Sequence, residues 1–120
     1  MTLEEYNGFC ESLAHTTHIV QWGGSHVWKI GGKVFAIAND RADDGFRVSF
    51  KVSELGFDIL KEQPGCQGAP HLASRGMKWI QRYSDESMSD NALKDYLCES
   101  YRLVSLGLTK KLQKELGLNQ

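Results

Sequence analysis

The sequence predicts an α+β fold: one two-layer domain, an antiparallel β-sheet with helices packed on one face. Three observations point there. Short β-branched and aromatic runs punctuated by glycine fill the first half of the chain. Apolar residues at helical spacing open and close it. No linker, internal repeat or low-complexity segment divides residues 1–120, so a single domain is expected. At 41% apolar and 24% charged, 120 residues are enough to bury a core without metal or disulfide support.

The elements follow in order. Thr2 and Glu5 form a capping box, and Leu3, Tyr6, Phe9, Cys10 and Leu13 recur at helical spacing, predicting a helix over 3–14. HIVQW (18–22), HVWKI (26–30) and KVFAIA (33–38) read as strands separated by Gly-bearing turns. NDRADDG (39–45) reads as a turn, and FRVSFKV (46–52) alternates apolar and polar as a half-buried strand must. Ser53 caps a short helix over 54–62. Residues 64–76 form a Gly/Pro-bearing loop with a helical turn near Leu72, and MKWIQRY (77–83) is a further strand. Ser89 caps a long helix through Leu93, Tyr96, Leu97 and Val104 that Gly107 ends, and Thr109 caps a last one.

The pair Gly31-Gly32 predicts a type I′ hairpin, because both central residues need positive φ. That register pairs Lys29 with Val34, Trp28 with Phe35, Val27 with Ala36 and His26 with Ile37. Pleat alternation then gathers Trp28, His26, Phe35 and Ile37 on one face, with Phe46, Val48 and Phe50 from the next strand and Met77, Trp79, Gln81 and Tyr83 from the last. Helices would cover that face. The opposite face would display Lys29, Arg47, Lys51, Lys78 and Arg82 to water, with Ser49 and Gln21 as hydrogen-bond donors. No aromatic residue is expected among these cations, so single-strand stacking is not anticipated.

The net charge of −1 excludes a strongly basic nucleic-acid binder, but its distribution is uneven. The acids concentrate on the predicted helices, and residues 67–84 carry three bases and no acid. Lys110, Lys111 and Lys114 make a second small basic cluster on the last helix. No apolar run is long enough to span a membrane, and the N-terminus lacks a signal peptide's basic start and apolar segment, so a cytoplasmic protein is expected.

Catalytic and metal chemistry find little support. Cys10, Cys66 and Cys98 are odd in number and lack CxxC spacing, which argues against a disulfide framework or zinc knuckle. Cys10 and Cys98 read as small hydrophobes on helices, whereas Cys66 lies in a loop with no activating neighbour pattern. His15 and His18 straddle an element boundary with no carboxylate cluster beside them, so no metal is expected. His26 belongs to the core face, and His71 sits in a loop with Ser74 and Arg75. The glycine pairs do not open a helix as a phosphate loop must, and Asp40, Asp43 and Asp44 lack the terminal Glu of an EF-hand. No cofactor is expected, and nothing recruits an enzymatic mechanism.

HVWKIGGKVFAIA, Pro70, Trp79 and the C-terminal ESYRLVSLGLTKKLQKELG together resemble the MmcQ/YjbR family of small bacterial proteins, over nearly the whole chain. Thr109 stands where that family's Leu-Pro-Lys-Lys pattern places proline, and either residue can begin a helix. The resemblance implies a two-layer fold akin to frataxin-type and secretion-chaperone-like domains, and a DNA-binding role, with no catalytic residues to carry over. The leading expectation is thus a non-enzymatic protein that binds DNA weakly and without strong sequence specificity. Lys29, Arg47, Lys51, Lys78 and Arg82 would contact phosphates, with Lys110 and Lys111 as a second patch. Two rivals stand beside it. One is a protein-interaction or chaperone-like module using an apolar patch or sheet edge. The other is a small-molecule site between helices and sheet near Trp28, His26 and Trp79.

Overall fold

In the computed structural model, which describes residues 1–41 and 45–120, the capping box of Thr2 and Glu5 opens helix α1 (Leu3–Ser12). Strands β1 (Thr16–Gln21), β2 (Ser25–Ile30), β3 (Lys33–Arg41) and β4 (Gly45–Lys51) follow as an antiparallel meander. Ser53 then caps helix α2 (Glu54–Leu60), its side chain accepting from the Gly56 amide. Strand β5 (Cys66–Gly68) and strand β6 (Trp79–Arg82) flank a loop holding a 3₁₀ turn at Ala73–Arg75. Ser89 caps helix α3 (Asp90–Leu106), and Thr109 caps helix α4 (Lys110–Leu116). Among the described residues the sheet has six strands in the order β1-β2-β3-β4-β6-β5, every pairing antiparallel. The expected α+β architecture is observed.

The core lies between the sheet and α3 with α1. Trp28, Ile30, Phe35, Ala36, Phe50 and Ile80 meet Leu93, Leu97 and Val104 of α3, and Tyr6 and Cys10 of α1. The Tyr6 hydroxyl donates to the His26 carbonyl at 3.0 Å, and the Trp28 indole donates to Asn7 Oδ1 at 2.9 Å. Both polar tips are therefore satisfied where their rings are buried.

Four local features depart from expectation. The hairpin turn is as predicted, with φ of 59° at Gly31 and 83° at Gly32 and the pairs Lys29–Val34 and Ile30–Lys33. Beyond it a bulge at Phe35 shifts the register to Trp28–Ala36, Val27–Ile37 and His26–Ala38. Phe35 stays in the core, but Ile37, Asn39 and Arg41 now share the face turned away from the helices. Ser100 of α3 holds the bulge in place: its hydroxyl donates to the Phe35 carbonyl at 2.7 Å and accepts the Lys51 amide at 2.9 Å.

Strand β6 has the opposite parity to that expected. Its partners Val48–Arg82, Ser49–Gln81, Phe50–Ile80 and Lys51–Trp79 put Ile80 and Arg82 on the helix side and Trp79 and Gln81 on the open side. Residues 66–68, expected as loop, instead pair with β6. The stretch 39–45, expected as a turn, is strand at Asn39–Arg41 and at Gly45. The Asp43 and Asp44 of the loose cation-loop expectation lie outside the described residues.

Candidate functional site: a cleft on the open sheet face

The helix-free face is not simply bare. The segment after β5 folds back across it, and the turn between β1 and β2 rises on the other side. Between them lies a cleft of about 470 Å³. Its floor is Ile37 and Asn39 of β3, Ser49 of β4 and Gln81 of β6. One wall is Trp22 with Ser25; the other is Pro70, His71, Leu72 and Arg75. An adjoining hollow of about 310 Å³ shares Asn39, His71 and Gln81 and adds Arg41 and Arg47. The two read as one groove, with three guanidinium groups and no carboxylate among its described lining residues.

Both walls carry unusual backbone. Trp22 has φ 52° and His71 has φ 68°, the left-handed region that disfavours bulky side chains. Such conformations cost on the order of 1–3 kcal/mol each and collect where a side chain must be held in place. Trp22 is 61% exposed, an uncommon amount of indole surface to leave in water.

The polar floor is arranged by its own hydrogen bonds. Gln81 Oε1 accepts from Gln67 Nε2 at 2.8 Å and from an Arg47 guanidinium nitrogen at 3.3 Å. Arginine has only donors, which fixes the amide's orientation and leaves Gln81 Nε2 for the cleft. The Ser25 hydroxyl donates to Asn39 Oδ1 at 2.7 Å, leaving the Asn39 amide nitrogen. Arg47 also lies 5.7 Å from the centre of the Tyr83 ring.

The seven basic residues singled out from sequence divide into three groups. Lys29, Arg47 and Lys51 do emerge on the open face, set by the pairs Lys29–Val34, Asn39–Arg47 and Lys51–Trp79. Arg47 and Lys51 lie about 13 Å apart along β4. Lys78 and Arg82 do not join them, because of the reversed parity of β6. Arg82 is 4% exposed beneath the start of α3; it donates twice to the Met88 carbonyl, at 2.8 and 3.2 Å, and to Asp90 at 2.9 Å. Asp90 is held below the usual carboxylate range, first by hydrogen bonding to the Met1 amino group and then by Arg82. Lys78 places its ammonium 4.9 Å from the centre of the Phe57 ring of α2. Lys110 and Lys111 are exposed on α4, whose Leu112 and Leu116 pack on the core in the helical layer. They belong to the other side of the molecule. A further hollow of about 370 Å³ lies beside Lys51, Met77 and Trp79, but Glu54 and Lys78 line it too, and that carboxylate disfavours an anion.

The sequence missed Trp22, Arg41 and the fold-back of Pro70–Arg75. Trp79 and Tyr83 are displaced from the expected core face; Trp79 is on the open face and Tyr83, just past β6, meets Arg47. Trp28 and Trp79 therefore lie on opposite faces and share no pocket between helices and sheet. The thiols are poorly suited to nucleophilic work: burial pushes Cys10 up to about 12, and raises Cys66 and Cys98 as well. Cys66 is buried in β5 rather than in a loop, whereas Cys98 is exposed, not packed as expected.

A model of the YjbR family matches residues 11–103. The chain belongs to the YjbR family. Over 92 residues it is 32% identical to the uncharacterized protein YbdF of Escherichia coli O157:H7, covering 75% of this chain and 72% of YbdF. The crystal structure of Deinococcus radiodurans protein DR2400, a DUF419 domain, superposes with a TM-score of 0.83 at 26% identity, covering 98% of this chain and 88% of that one. A Pseudomonas syringae protein solved by structural genomics shares the fold at 18% identity, with a TM-score of 0.69 over 86% of this chain and 98% of its own. The YjbR matches thus agree with the sheet-and-helix architecture and carry no stated ligand. Among the described residues of this YjbR chain no helix is long and apolar enough to cross a membrane.

Proposed function

We propose that this chain binds DNA weakly, in single-stranded form, across the open face of the sheet. The observation that carries the proposal is an exposed indole, Trp22, lining one cleft with Arg75, next to the hollow lined by Arg41 and Arg47, on the face that also presents Lys29 and Lys51. Cations supply sequence-independent attraction to phosphates, and an aromatic platform adds base stacking that only unpaired bases can reach. The segment Pro70–Arg75 interrupts the face, which suits a flexible strand better than a rigid duplex. The net charge of −1 limits the affinity.

A salt titration tests this. Five phosphate contacts on a single strand give a log–log slope of about −3.5. Replacing Lys29 and Lys51 together by alanine should flatten it by about 1.4, whereas Lys110→Ala with Lys111→Ala should leave it unchanged. No binding at low salt, or wild-type behaviour of the Lys29/Lys51 variant, would overturn the proposal.

One observation favours a second function, protein recognition by strand addition. Among the described residues the outer edge of β1 has no pairing strand, and it carries exposed Ile19 and Val20. Such binding would persist in moderate salt, where phosphate contacts weaken.

A further inference from the structure

We infer that the cleft between Trp22 and Arg75 is a small-molecule site and that it takes an aromatic carboxylate. Two polar groups on the cleft floor, left unused by the fold, carry this reading, which goes beyond strand binding and does not depend on it.

Ser49 of β4 and Gln81 of β6 are direct partners across the sheet, so their side chains stand beside each other on the open face. Each is only 7% exposed, and both line the cleft. Side chains buried to that degree are, as a rule, hydrogen-bonded within the fold. Here the Gln81 side-chain carbonyl is taken by Gln67 and Arg47, which leaves its NH₂ for the cleft. Among the described residues the Ser49 hydroxyl makes no hydrogen bond, and it is open to the cleft rather than sealed. Two neighbouring donors at the bottom of a hollow match the two oxygens of one carboxylate, each oxygen accepting one bond. Hydrogen bonds to an ionised acceptor are roughly twice as strong as neutral ones, so a carboxylate is favoured over an amide of the same shape. Arg75 on the wall supplies the countercharge, and no carboxylate lines this cleft to oppose it. A phosphate monoester would bring a third oxygen and a second charge, and the lining holds no second guanidinium to meet them. Above the floor the surfaces are apolar. Ile37, Pro70 and Leu72 offer contact for the flat of a ring, and the exposed Trp22 indole offers a stacking surface. A volume of about 470 Å³ is far more than a bare carboxylate fills and lies within the range of small-ligand clefts.

The test titrates the full chain with benzoate and follows amide NMR shifts, with benzamide, phenyl phosphate and acetate compared at equal ionic strength. Benzoate should bind saturably and roughly tenfold more tightly than benzamide, with acetate weaker still. Ser49→Ala should weaken benzoate roughly tenfold and leave the melting curve unchanged, because the lost hydroxyl holds nothing in the fold. Gln81→Glu keeps an oxygen for Gln67 and Arg47 but sets a second, negatively charged oxygen where the NH₂ stood. It should abolish benzoate binding while benzamide still binds. Trp22→Ala should weaken benzoate and leave acetate as it was. No saturable benzoate binding, or benzoate binding that Ser49→Ala and Gln81→Glu both leave at wild-type strength, overturns the site. Benzamide or phenyl phosphate binding as tightly as benzoate overturns the choice of a carboxylate, and acetate binding as tightly overturns the aromatic part. Strand binding is read separately from its salt slope, so its failure and the failure of this site are distinguishable.

Discussion

Arg82 and His18 show how far a residue's type underdetermines its role. A lysine-and-arginine tally counts Arg82 with the surface cations, yet its guanidinium is spent on the Met88 carbonyl and Asp90. Its replacement by alanine should therefore cost stability, roughly 2 kcal/mol in a denaturant titration, because the buried Met88 carbonyl loses both its donors while the half-exposed Asp90 keeps the Met1 amino group. Strand affinity of the folded variant should not change. His18 stacks on Trp28 with ring centroids 4.7 Å apart and meets His26, Nε2 to Nδ1, at 3.1 Å. Desolvation first, then the neighbouring His26, lowers its pKa below 6.5. The unfolded chain consequently binds the proton more readily, so this stability is fully present above about pH 6.5 and is lost as pH falls through the lowered value. His18→Gln should reduce the slope of stability against pH in that acid range, read from thermal melts between about pH 7 and 5. An unchanged slope would reject the assignment.

At the scale of elements, the bulge at Phe35 and the parity of β6 decide what the open face contains. Helix caps were legible because each is a local contract: Thr2, Ser53, Ser89 and Thr109 all bond amides three residues on. The Gly31-Gly32 turn was legible for the same reason. The bulge was not, because its stabilising partner is Ser100, 65 residues away on α3. The β6 parity was hidden as well: WIQR is buried at every position, so apolar alternation carries no signal there. Ser100 thus stands out as a structural serine. Ser100→Ala leaves the Phe35 carbonyl and the Lys51 amide without their partner in the interior. It should lower stability by about 2 kcal/mol. Because the bulge aims Ile37, Asn39 and Arg41, the same change should weaken single-strand binding as well. A Ser100→Ala protein as stable as wild type would show that the hydroxyl does not hold the bulge.

For the whole molecule, division of labour between the two sheet faces is the organising feature. One face is sealed by α1 and α3 over a continuous apolar core. The other keeps polar and cationic groups and is only partly roofed, by the fold-back of Pro70–Arg75. The architecture was readable from sequence because burial of one face dominates the free energy of a two-layer fold. The contents of the second face were only partly readable. Lys29, Arg47 and Lys51 were found there, while Trp22, whose left-handed backbone no local pattern announces, was not. The most direct test is to map amide and indole NMR shifts on titration with oligothymidylate. Perturbations should gather on the Trp22 indole, Ile37, Asn39, Ser49, His71 and Gln81, with α3 and α4 silent. Shifts confined to the helical layer or to the outer edge of β1 would contradict binding on the open face.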